Sequence, residues 1–257
     1  MRLQIGKIRR DAAKAGEGTC GCGASIRDCP LWGRFIERRA TTARPVEDLQ
    51  LVIGIMRELS GPDVVLVDAS KIREPIGELA AQRASAVKVI HLSRDYRSWI
   101  VSAVDLRRRK EKRERPGWWL GLEGARRWTR ENRKLQTAIA AAGFPSMRLG
   151  YEELVLAPAR IWPLVRDFLG LPDAGVPDDI DGACSHMFSG NRMRENKNRR
   201  AVSYDERWFG RDEWRLAERV WPPLRAANRR WTYSHGILGP GADEVRSAAT
   251  ADCGGRR

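Results

Sequence analysis

Arg94 stands where an apolar run gives way to a helical pattern. In "VIHLSRDYRSWIVSAV" (89–104) its guanidinium would lie beside the free backbone N–H groups and the positive end of the helix that follows. That combination is an anion site. Ser98 and Ser102 are four apart and share one helix face, so a hydroxyl can join it. Arginine suits the task because its planar fork grips phosphate oxygens in pairs. The competing reading is an exposed Arg-Asp pair capping a helix. A second constellation is Cys20, Cys22 and Cys29, which could ligate zinc with Cys184 or His186 as a fourth donor. The C-x-C spacing is tight, so reduced thiols in a loop are the stronger expectation and no metal is expected. His91 alternates with apolar neighbours and reads as a core histidine. His186 opens "HMFSGNRMR" (186–194) and is a candidate ligand contact, while His235 has no constellation around it.

Charge widens the field before it narrows it. The 257 residues carry a formal charge of +14, which points to an anionic partner: nucleic acid, a membrane surface or a phosphorylated small molecule. "RRRKEKRER" (107–115) holds seven basic and two acidic residues and reads mainly as a solvated helix end or loop, with polyanion attraction as the alternative. Trp118, Trp119 and Trp128 follow; stacking on an acceptor and core packing are both open to them. Signatures of RRM, zinc-finger and helix-turn-helix nucleic-acid binding are absent, so nucleic acid is not the expected partner. No apolar run reaches the roughly 20 residues a spanning helix needs, and none follows the basic N-terminus as in a secretory signal. Five cysteines suggest no disulfide framework, and a cytoplasmic location is expected.

The elements that must position these residues read as strands alternating with helices. Strands are expected at "DVVLVDASK" (63–71), at 86–95 and at 146–154, and helices at 45–59, 72–84, 97–108, 121–142 and 158–169. Alternation of this kind implies an α/β fold with a parallel sheet covered on both faces. Ligands of such sheets bind at the carboxyl ends of the strands, here Asp68-Ala69-Ser70-Lys71, Ser93-Arg94-Asp95 and Tyr151-Glu152. Beyond about residue 176 the chain reads as loop-rich and basic. Residues 1–235 are expected to form one domain and 236–257 a disordered tail.

Arg94 with a serine eight residues on resembles the 3′-phosphate-binding segment of sulfotransferases that use 3′-phosphoadenosine-5′-phosphosulfate (PAPS). The likeness extends to "VVLVDASK", "MRLGYEELVLAPARIWPLVRDFLGLP" (147–172), "HMFSGNRMR" and the bacterial-type "CGCGASIRDCPLW" (20–32), covering about residues 20 to 200 in the family's order. The resemblance implies a three-layer P-loop-NTPase-like sheet flanked by helices. It also implies that Arg94 and Ser102 hold the 3′-phosphate, that Tyr151 lies near the adenine or ribose, and that Gly190, Asn191 and Arg192 close over the nucleotide. Lys71 matches the strand end that carries a catalytic base or sulfate-stabilising cation, with Asp68 and Ser70 beside it. The implied reaction is sulfuryl transfer from PAPS to a hydroxyl or amine acceptor.

One landmark of that family is missing. A first strand leading into a basic-Ser-Gly-Thr loop, which cradles the 5′-phosphosulfate, does not occur. "AGEGTCGCGAS" (15–25) is Gly-rich, but Glu17 precedes Gly18-Thr19 and no apolar strand leads in. The expectation is therefore a sheet short of its first strand, and a chain impaired in stability or in transfer. The alternative from another class is a non-catalytic basic protein that binds RNA or another polyanion on a relic scaffold. A P-loop kinase is a lesser reading, since neither a Walker-type lysine loop nor a clear Mg²⁺ carboxylate is present.

Overall fold

The structure, a computed structural model, describes residues 18–39, 45–62, 65–67, 74–81, 87–110, 115–173, 175–176, 186 and 204–238. The chain packs as two units, one drawn from Met1–Ala84 and Asp178–Ala201, the other from Ser85–Pro177 and Val202–Arg257. No helix among the described residues is long and apolar enough to cross a membrane.

Among its described residues, the first unit has helices and no strand longer than a single bridge. A hydrogen-bonded loop at 18–31 leads into α1 (Trp32–Arg38), followed by α2 (Pro45–Ser60) and α3 (Glu74–Ala81). Its core joins Cys20, Ile26, Cys29, Leu31, Trp32 and Phe35 of the loop and α1 to Val52 and Ile55 of α2. Val52 and Ile55 are three residues apart, the spacing that brings one helix face onto a core. The strand expected at 63–71 is not found among the described residues. Val65–Val67 carry no strand pairing, and Val65 and Val67 are 60% and 79% exposed. Residues with strong β-propensity remain irregular when no neighbouring strand covers them.

The second unit holds the sheet. Its strands β1 (Val89–Ser93) and β2 (Ser146–Gly150) are parallel, in register from Val89 opposite Ser146 to Ser93 opposite Gly150. Parallel strands need a crossover, and α4 (Tyr96–Lys110) and α5 (Gly117–Ala142) supply it. Tyr96, Ile100 and Val104 recur every fourth residue along α4 and are all buried. They meet Leu120, Ala125 and Trp128 of α5, with the Tyr96 and Trp128 rings edge to face at 6.0 Å. α5 ends at Gly143, whose φ of +69° is the left-handed cap that glycine adopts without strain.

After β2 come α6 (Tyr151–Leu156) and α7 (Pro158–Leu169), which close a smaller core of Leu149, Ile161 and Val165. The strand expected to run to 154 stops at Gly150. A Cβ there would sit 1.7 Å from the Thr232 carbonyl oxygen, so that backbone packs directly against the turn. The basic segment read as loop forms two helices, α8 (Arg215–Val220) and α9 (Pro223–Thr232). They form because Ala217, Leu224 and Trp231 complete the aromatic core, with Trp231 5.3 Å from Trp128. Of the expected tail, Gly236–Leu238 are described; 239–257 lie outside the described residues.

Candidate functional site

The carboxyl end of β1 is held tightly before it reaches Arg94. The Trp128 indole donates to the Arg94 carbonyl at 2.8 Å, fixing the strand-to-helix turn. Asp95 is fully buried and caps α4, its carboxylate accepting the Arg97 backbone N–H at 2.8 Å. The same carboxylate accepts from the Arg97 side chain, from Asn228 and from the Tyr233 hydroxyl. The Asp95 N–H donates to Glu152, and the Tyr96 N–H to Asn228. The N–H groups of Asp95, Tyr96 and Arg97 at the helix start are thus already occupied. Asp95 does cap the helix, but from a buried position, so an anion site here rests mainly on side chains.

Side chains do converge. From Arg94, Nη1 reaches Ser102 Oγ at 3.5 Å, and the guanidinium carbon lies 5.4 Å from the centre of the Tyr151 ring. The three described residues given a nucleotide role by resemblance therefore meet. Arg207 also donates to Ser102 Oγ, at 3.1 Å. Arg207 grips Asp205 through Nε at 2.8 Å and Nη2 at 2.6 Å, and Arg94 pairs with the same carboxylate. Beyond it, Asp105 takes Arg207 at 3.2 Å and Arg211 at 3.1 Å, and Arg211 also holds Glu213 at 2.7 Å. Three guanidinium groups thus meet three carboxylates. The Arg207 hydrogen bonds come first in holding Asp205 well below the usual carboxylate range, against burial and with help from Arg94. Buried Nε of Arg94 has no hydrogen-bond partner in the described structure.

Glu152, one residue past Tyr151, is completely buried. Burial first, and the nearby Asp95 charge second, push its carboxyl up to about 7. Its Oε1 has no hydrogen-bond partner in the described structure. His91 is buried with Nε2 3.0 Å from Asn132 Oδ1, a paired core histidine as its alternation implied. Trp128 is core, whereas Trp118 and Trp119 are 50% and 45% exposed. Lys71, Asp68 and Ser70 lie outside the described residues, as do Gly190, Asn191 and Arg192. Asp105, Asp205, Arg207 and Arg211 were not anticipated. The one signal for Asp205, Arg207 and Arg211 is a pair of acidic residues and two arginines within "DERWFGR" (205–211), more than 100 residues downstream of Ser102.

In the first unit the thiols gather. The Sγ atoms of Cys29 and Cys20 are 3.5 Å apart, and those of Cys22 and Cys29 3.8 Å. His186 Nδ1 lies 3.3 Å from Cys29 Sγ and 3.9 Å from Cys20 Sγ. These four donor atoms all fall within 4.8 Å of one another. The cysteines are unbridged, their separations being far beyond the roughly 2.05 Å of a disulfide. Burial pushes the Cys20 thiol up to about 12 and raises Cys29 as well. No family model, curated protein or solved structure matches the chain.

Proposed function

We propose that the chain binds the phosphate of an adenosine nucleotide at Arg94 and Ser102 and acts as a sulfotransferase of the PAPS-dependent kind. The observation that carries this reading is the meeting of Arg94, Ser102 and Tyr151 at the end of β1, the three residues for which a phosphate grip and a nucleoside contact were expected. Arginine forks, a serine hydroxyl and an aromatic face are the chemistry a phosphorylated nucleoside requires. Asp205 holds the place of the anion in the free protein: its carboxylate sits between Arg94 and Arg207 as a phosphate would. Nucleotide binding exchanges one anion for another there.

In the proposed reaction the bond from sulfur to the bridging oxygen of PAPS breaks and a bond from sulfur to the acceptor oxygen or nitrogen forms. The acceptor proton passes to a carboxylate, the role proposed for Asp68. Lys71 neutralises the leaving phosphate oxygen, with Ser70 beside it, and adenosine 3′,5′-bisphosphate departs. Gly190, Asn191 and Arg192 are proposed as further nucleotide contacts.

The polyanion alternative gains little. In the basic run, Arg107 is paired with Glu123 and Arg108 with Glu213 at 3.2 Å, so part of its charge is spent internally. Calorimetric titration of the full chain with adenosine 3′,5′-bisphosphate separates the readings. The expected result is saturable binding that Arg94→Ala removes and that neutralising Arg109 and Arg115 leaves intact. No binding by the wild-type chain, or equal binding by Arg94→Ala, overturns the nucleotide site; binding without label transfer from PAPS to any hydroxyl or amine acceptor pool overturns the transferase.

A further inference from the structure

We infer that Cys20, Cys22, Cys29 and His186 form a closed, tetrahedral structural zinc site that clips the 18–31 loop to the chain at residue 186. This inference stands apart from the nucleotide reading and holds whether or not the protein is an enzyme.

Geometry is the first support. Zinc binds thiolate at about 2.3 Å and imidazole at about 2.0 Å, so a tetrahedral site has S···S edges of about 3.8 Å and S···N edges of about 3.5 Å. Four of the six edges have S···S separations of 3.5 and 3.8 Å and S···N separations of 3.3 and 3.9 Å, each within a few tenths of an ångström of the ideal. The other two, Cys20–Cys22 and Cys22–His186, are no longer than 4.8 Å. An iron–sulfur cluster binds its ligands through different irons and spreads them wider than one such edge, so a single ion fits better.

Local structure is the second. Thr19 and Ser25 form an antiparallel bridge, the Cys20 N–H bonds the Ala24 carbonyl at 2.8 Å, and the Gly23 N–H bonds the Cys20 carbonyl at 2.9 Å. This tight turn sets Cys20 and Cys22 side by side, and Gly23, at φ +91°, supplies the backbone conformation that closes it. The Trp32 backbone N–H points at Cys29 Sγ at 3.5 Å, a donor that offsets charge on a thiolate. The Trp32 indole N–H is bonded to the His186 carbonyl at 2.5 Å, which fixes the only ligand from outside the loop.

Chemistry is the third. Cys20 and Cys29 are buried in the same apolar cluster as Ile26, Trp32 and Phe35. Three thiolates and an imidazole fill all four positions of zinc and leave none for water or substrate, so the site is structural, not catalytic. His186 is 166 residues from Cys20, and joining segments so distant is where a metal clip constrains the chain most.

The test uses the untagged full chain, purified without chelator from zinc-supplemented cells. Elemental analysis is expected to give about one zinc per chain. Replacement by Co²⁺ should give the strong visible bands of a tetrahedral site together with thiolate-to-cobalt charge transfer. Cys22→Ser and His186→Ala should each lose the metal, His186→Cys should keep it, and Cys184→Ser should leave it unchanged. Because a ligand variant can fail to fold, alkylation of the wild-type chain is mapped by mass as well: Cys20, Cys22 and Cys29 should be protected until a chelator is added. A wild-type chain that takes up no zinc on dialysis, a faint octahedral cobalt spectrum, or metal retained in His186→Ala but lost in Cys184→Ser overturns the site.

Discussion

The thiol cluster around Cys29 and the arginine cluster around Ser102 are both assembled from segments far apart in the chain, yet their charges stand in opposite states. Around Ser102 every guanidinium already has a carboxylate: Asp205 between Arg94 and Arg207, Asp105 between Arg207 and Arg211. Around Cys29 the donor atoms meet one another and the Trp32 backbone N–H, and none of these partners is a cation. A ligand at the first cluster must displace an internal partner, so its net gain is a difference between two similar ion pairings. At the second, a cation supplies what is missing, and its full binding energy becomes folding energy.

The largest effect should come from the cluster with no internal substitute. Cys29 touches both Cys20 and His186, and Cys29→Ser is expected to weaken zinc binding by more than about a hundredfold, read by competition with a chromophoric chelator. Unchanged affinity would show that the thiols are ordinary core residues. Next is Arg94→Ala. With ligand at about a hundred times its Kd, the wild-type chain should gain about 2.7 kcal/mol from adenosine 3′,5′-bisphosphate. The variant should gain almost none, and a melting shift equal to that of wild type would contradict the site.

Glu152 sharpens the comparison by pH. Its folded pKa of about 7 lies above the ordinary 4.5. Its neutral form therefore contributes stability that is complete below about pH 4.5 and is lost as pH rises through about 7. Glu152→Gln stays neutral, so its stability relative to wild type should increase by about 2–3 kcal/mol across that window. Denaturation curves for the two proteins that stay parallel from pH 4.5 to 7.5 would show that the carboxyl is not perturbed. The smallest effect is salt. Raising the salt from about 50 to about 200 mM should weaken nucleotide binding several-fold while leaving zinc affinity nearly unchanged. Equal sensitivity would erase the distinction between the two clusters.

What could be read from the sequence follows how local each feature is. The helix expected at 158–169 is found there, because Pro158 and Gly170 mark its ends and apolar positions recur between them. Arg94 and Ser102 are eight residues apart and sit at a strand end and on the following helix, so their meeting is a short-range consequence of β1 and α4. Asp205 and Arg207 reach the same place by tertiary packing. They precede α8 and α9, whose buried face is made of alanine, leucine and tryptophan scattered among arginines, a pattern that periodicity hardly registers. Conversely, the valines of 63–71 promise a strand by propensity, yet Val67 is exposed, since propensity supplies no partner. Cys20, Cys22, Cys29 and His186 could be named as candidate ligands from the sequence, but not their meeting, because His186 lies 157 residues from Cys29.

The exchange of anions at Arg94 is tested most directly by Asp205→Asn. Titrating the wild-type and variant chains with adenosine 3′,5′-bisphosphate at the same salt and pH compares binding with and without the internal competitor. The expected result is binding tighter by about tenfold in Asp205→Asn, since the neutral amide no longer holds Arg94 and Arg207 against the incoming phosphate. Weaker binding in the variant would contradict this, showing that Asp205 positions the arginines for the ligand and does not stand in its place.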